Sequence, residues 1–170
     1  MKNLLLPLLI TLSTTILAKT PVSLFGVNLN DNILNYVTSK ELQSKFEDYV
    51  KGFHTIRLKN PPKNNQYLFD SLFVTFDVNN KIGNVKAQKV FRNIDTCSKV
   101  ETNARTSLMR KFNIEFERNP LVNYGFSKYI KGYDIGTECR VFSDDITALF
   151  IFINKEEYSD KYNEHLDSII

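Results

Sequence analysis

The chain has no tryptophan, and its 170 residues include only two cysteines, two histidines, six glycines and five prolines. Each shortage removes a class of protein. So little glycine and proline excludes collagen-like and low-complexity chains. A zinc site needs three or four ligands at suitable spacing. Here His54 and His165 stand far apart and both cysteines are expected to be committed elsewhere. No metal or cofactor is therefore expected. The sequence has no Gly-x-Ser-x-Gly elbow, no Cys-x-x-Cys pair and no Gly-rich phosphate loop. These gaps argue against an α/β-hydrolase triad, thiol redox chemistry and nucleotide chemistry. The formal charge is only +3. Among the basic residues Lys81, Lys86, Lys89, Arg92, Arg105, Arg110 and Lys111, Lys86 has the opposite strand parity to Lys81 and Lys89. They form no continuous stripe, and no nucleic-acid partner is expected.

What remains is an ordinary globular composition, 42% hydrophobic and 24% charged, with 13 Phe and 8 Tyr to supply the large core pieces. The chain opens with Lys2, a Leu-rich run from Leu4 to Leu12, a polar Ser13-Thr14-Thr15 and then Ile16-Leu17-Ala18. This is the pattern of a secretory signal peptide cleaved after Ala18. The run is too short for a membrane span, which needs about 20 apolar residues, and no other stretch approaches that length. The expected organisation is a signal peptide at 1–18 and a single α+β domain at 19–170. That places the protein in the periplasm or outside the cell. No Asn-x-Ser/Thr sequon occurs, which fits bacterial export. Once the leader is removed, 152 residues remain (170 less 18). Such a chain buries roughly 70% of the surface its unfolded form exposes.

Periodicity supplies the elements. A short extended piece is expected at 20–27 and a brief helix at 31–37. Thr38 and Glu41 have capping-box spacing, and Leu42, Phe46, Tyr49, Val50 and Phe53 follow at helical intervals. This pattern predicts a helix over 39–50. A strand is expected at 53–58, then a turn-rich loop at 60–65. Residues 67–78 and 81–91 read as a hairpin bending at Asn79-Asn80. In the first of these strands Tyr67, Phe69 and Phe73 share one parity and Leu68, Leu72, Val74, Phe76 and Val78 the other. Both faces are apolar, as in a central strand.

A helix over 95–112 carries Cys97, Val100, Ala104, Leu108 and Phe112 on one stripe, with Glu101, Arg105 and Lys111 largely off it. Strands at 126–133, 137–142 and 145–153 follow, with bends at 134–136 and 143–144. A last helix begins near Lys155 and lines up Tyr158, Tyr162, His165, Leu166 and Ile169. Strand–strand–helix occurs twice, without a repeat of 20–50 residues. The fold class is α+β, an antiparallel sheet of about five or six strands with helices packed on it. The two long helices can cover one face, and region 31–50 or a partner the other.

An even cysteine count in an oxidising compartment favours pairing. Cys97 and Cys139 are expected to form one disulfide, the competing reading being a free reactive thiol. The opening Leu24-Phe25-Gly26-Val27-x-Leu29 follows the leader. A hairpin bearing Ile82 and Val85, a Cys-bearing helix ending Leu108-x-x-Lys111-Phe112 and a strand with the second Cys come later. This layout resembles that of small periplasmic bacterial proteins without an assigned activity. The resemblance implies a compartment and a fold type only.

Two carboxylate pairs, Glu115 with Glu117 and Asp144 with Asp145, are the candidates for glycosidic hydrolysis in the envelope. Otherwise they are solvated charges and turn formers. The aromatic residues are more suggestive. Tyr67, Phe69 and Phe73 form the candidate binding surface, and Tyr124, Phe126, Tyr129 and Tyr133 follow later. Aromatics of this kind serve as core or as interface anchors. The functional expectation is an exported, non-catalytic binding protein, of periplasmic inhibitor or immunity type, with a protein partner in the cell envelope. The alternatives are a carboxylate-dependent envelope hydrolase and a carrier of a small apolar ligand.

Overall fold

The computed structural model describes residues 22–62, 69–118 and 125–167. The leader, Tyr67, Tyr124 and Ile169 lie outside them. Strands β1 (Ser23–Leu24) and β2 (Val27–Asn28) pair around Phe25 and Gly26, both at positive φ. A 3₁₀ turn at Ile33–Asn35 and the one-turn helix α1 (Ser39–Leu42) follow. The main sheet is antiparallel throughout and contains β3 (Phe46–Glu47), β4 (Phe53–Leu58), β5 (Ser71–Asp77) and β6 (Ile82–Phe91). After helix α2 (Ile94–Phe112) it adds β7 (Glu117–Arg118), β8 (Gly125–Ile130), β9 (Tyr133–Ser143) and β10 (Ile146–Lys155). Helix α3 (Glu156–Asp167) closes the described chain. The strand order is β3-β4-β5-β6-β10-β9-β8-β7.

The α+β expectation is met with eight strands rather than five or six. The two additional strands are the edges β3 and β7, each two residues long. Pieces that short carry no readable alternation.

The helix expected over 39–50 is corrected. The capping box forms: Glu41 N donates to Thr38 Oγ1, and Thr38 N to the Glu41 carboxylate. The helix nevertheless stops at Leu42. Phe46 and Glu47 instead pair with Thr55 and His54 on β4. Phe46 is 52% exposed and Tyr49 82%, so the helical stripe buries neither of them. Asp48 explains the outcome. Its carboxylate accepts hydrogen bonds from Val50 N, Thr55 Oγ1 and Tyr158 OH, fixing a β-turn that a helix would forfeit. Gly52, at φ +86°, supplies the left-handed residue of that turn.

The β5–β6 bend falls at Asn79-Asn80 as expected. Asn80 is left-handed, and Asp77 Oδ1 accepts from Asn79 N and Lys81 N. The bend expected at 134–136 instead lies at Lys131-Gly132, both at positive φ. Gly136 is instead a strand residue, and Phe152, opposite it on β10, fills the space a side chain there would take. A Cβ there would lie 2.2 Å from Phe152 Cζ.

Helix α2 is capped by Asn93, whose side chain accepts from Thr96 N, and ends on left-handed Asn113. It packs on one face of the sheet. There Cys97, Ala104 and Leu108 meet Ile56, Leu72, Val74, Val85, Ile135, Leu149 and Ile151. Leu24, Val27 and Ile33 join the same core, so region 22–37 lies on the α2 side. The disulfide joins Cys97 on α2 to Cys139 on β9, Cα atoms 6.1 Å apart.

Glu101 corrects the stripe assignment. It is 3% exposed and faces the sheet. Its carboxylate accepts from Thr137 Oγ1 at 2.6 Å and pairs with Arg105 Nε at 2.9 Å. Arg105 in turn lies 3.9 Å from the centroid of the Phe126 ring. A buried carboxylate is tolerated only with partners such as these.

The two long helices do not share a face. Tyr158 of α3 packs edge-on against Phe53 and buries Val50, on the face opposite α2. The helix covers only one end of that face.

Candidate functional site

The register places six polar residues in one row across the face beneath α3. Thr55, Thr75, Asn84, Asn154, Asp134 and Tyr129 are successive neighbours on β4, β5, β6, β10, β9 and β8. Thr55 Oγ1 donates to Asp48 at 2.5 Å, which leaves Thr75 to donate to Thr55 at 2.7 Å. Asn84 Nδ2 donates to Asn154 Oδ1. Tyr158 OH donates to Asp48 at 3.0 Å, so the row also anchors α3. Burial, reinforced by Asp48, raises the Tyr158 phenol above its ordinary range and keeps it protonated.

Asp134 is the strained member of this row. Burial pushes its carboxyl up to about 6 from an ordinary 3.8. The folded carboxyl therefore holds its proton more tightly than the unfolded one. Ionisation weakens the fold as pH rises from about 4 to about 6, and below that window the penalty is absent. Asp134→Asn is expected to stabilise the protein by about 1–3 kcal/mol near neutral pH and by almost nothing near pH ~4. Urea unfolding of both proteins at the two pH values checks this. An equal effect at both would refute the assignment.

Beyond α3 no helix among the described residues covers the same face, called here the open face. Its next row contains Arg57, Phe73, Lys86, Phe152 and Gly136 on β4, β5, β6, β10 and β9. The row after that contains Ser71, Gln88, Phe150 and Glu138. Phe150 is buried among cations. Lys86 Nζ and the Arg140 guanidinium each lie 5.7 Å from its centroid, and Phe142 meets it edge-on at 6.3 Å. Contacts at that range are favourable for a cation over an aromatic face. Phe142 is 57% exposed and Val90 51%, while Phe73 and Phe152 are half-buried.

Arg140 is paired with Glu138 at 2.7 Å. Lys86 is half-buried, and among the described residues no carboxylate lies within ion-pair distance of it. Burial pulls its ammonium below the ordinary lysine range. Asp48 and Glu138 oppose the shift, and Arg140 adds to it.

The structure separates the aromatic residues singled out from sequence. Phe69 precedes β5 and is core, its ring 4.6 Å from that of Phe25. Parity fails there because the strand begins only at Ser71. Phe73 belongs to the open face, and Tyr67 is outside the described residues. A groove lined by Ser44, Phe46, Arg57, Pro61, Phe69 and Ser71 adjoins that face at the β3–β4 edge.

The hydrolase candidates are not brought into a shared buried site. Glu115, Glu117, Asp144 and Asp145 are all exposed; Glu117 pairs with Lys128, and the aspartates sit at the β9–β10 turn. Among the described residues no group of three or more His, Cys, Asp or Glu is placed to hold a metal. No helix among them is long and apolar enough to cross a membrane. No protein-family model matches the chain, and no curated protein or solved structure is significantly similar to it.

Proposed function

We propose that this chain is an exported, non-catalytic binding protein of inhibitor or immunity type. In this reading it engages a protein of the cell envelope through the open face of its sheet. The observation that carries the proposal is the open-face cluster itself. Along it Phe142 and Val90 are exposed, Phe73 and Phe152 are half-buried in rows farther along the strands, and Lys86 has no carboxylate within ion-pair distance among the described residues. Contiguous exposed apolar side chains with embedded charges are the usual composition of an interface. The signal-peptide pattern and the Cys97–Cys139 disulfide support the location.

A photo-crosslinking amino acid at position 90 or 142, in the native host, is expected to yield one discrete adduct of the same partner. The same probe at Asn103, exposed on α2, is expected to yield none. No adduct from 90 or 142 above the level at 103 would overturn the reading.

A further inference from the structure

We infer that the partner presents an acidic side chain next to an apolar or aromatic one, with the carboxylate seated on Lys86. This rests on the open face being the binding surface. Lys86 is recessed between Phe73 and Phe152 in its row, with Phe150 beneath its ammonium. Glu138 is ion-paired with Arg140, and Asp48, whose charge the neutral hydroxyls of Thr55 and Tyr158 do not cancel, acts on Lys86 only from beyond ion-pair distance. A half-buried ammonium with no carboxylate in contact among the described residues is costly in the free protein. An incoming carboxylate removes that cost, and the surrounding rings exclude water from the new pair.

A second copy of this chain is a poorer occupant. Stacking two open faces about a two-fold axis would bring Lys86, Arg140 and Arg57 of both copies into one interface. A flat anionic membrane meets protruding lysines before a recessed one. An acidic peptide can insert its side chain.

The test pans a random linear-peptide library against the isolated protein. Synthetic versions of the enriched peptides, and their Glu→Gln or Asp→Asn counterparts, are then titrated against wild type, Lys86→Met and Phe142→Ser. Thermal unfolding of both variants establishes that they fold. Enriched peptides are expected to pair an acidic residue with Phe, Tyr or Leu. Neutralising the peptide acid, or introducing Lys86→Met, is expected to weaken binding by about tenfold or more. The two changes together are expected to weaken it little further, because they remove one contact. Peptides that lose affinity for Phe142→Ser but tolerate acid neutralisation and Lys86→Met would overturn the acidic-partner inference and leave the open-face reading standing. Peptides indifferent to both substitutions would overturn both. Lys86-dependent sedimentation with phosphatidylglycerol vesicles, without peptide enrichment, would replace the peptide with a lipid surface and also refute the inference.

Discussion

Cys97→Ser is expected to lower the stability of the oxidised protein by about 2–5 kcal/mol. The bridge spans a sequence separation of 42 and ties α2 to β9, the strand that also supplies Thr137 and Ile135 to the α2-covered core. Its Cα separation of 6.1 Å lies inside the usual range of about 4.4–6.8 Å. A cross-link over a loop of that length restricts the unfolded ensemble chiefly by loop closure, and the native packing changes little. Cys139→Ser should match Cys97→Ser, and the double variant should fall only slightly lower, since one bond is lost in all three. Equilibrium urea unfolding measures the series, and thiol titration of denatured, unreduced protein counts the free sulfhydryls. Two titratable thiols in freshly isolated wild type, or additive effects of the two substitutions, would contradict the bridge.

Glu101→Ala is expected to cost about 3 kcal/mol, the lower end for breaking a buried ion pair from one side. The substitution strips Thr137 of its acceptor at 2.6 Å and removes the carboxylate paired with Arg105 above Phe126. Glu101→Gln keeps an oxygen for the Thr137 hydroxyl and should cost less. Glu101→Ala with Arg105→Ala should recover part of the loss, because the stranded cation goes too. Chemical unfolding of the three variants gives the cycle. A Glu101→Ala protein within about 0.5 kcal/mol of wild type would place Glu101 among ordinary surface residues.

Local signals were legible where a single segment contains them. The Asn79-Asn80 hairpin, the α2 stripe, the Thr38–Glu41 capping box and the cysteine pair are of this kind. The capping box also shows the limit. It starts a helix but does not set its length, and pairing of Phe46 with Thr55 ends it early. The burial of Glu101 is not legible, because helical periodicity records hydrophobicity whereas this burial depends on Thr137, 36 positions away. The polar row was invisible for a related reason: each of its six members comes from a different strand. Phe73 is legible as a surface candidate from its strand parity. Lys86 is, in sequence, one of several scattered basic residues, since its neighbours Phe73 and Phe152 reach it across β5 and β10.

Gly136 and Phe152 behave as one heritable unit. Between them the two positions hold a single aromatic ring, because a Cβ at 136 would overlap Phe152 Cζ at 2.2 Å. Shrinking position 152 first uncovers Gly136 and gives up a half-buried ring, which is costly but sterically allowed. Enlarging position 136 first requires the Phe152 ring to swing off the strand. A side chain at 136 therefore comes either with a smaller residue at 152 or with a displaced ring, and in both cases the face is reshaped in the row of Lys86.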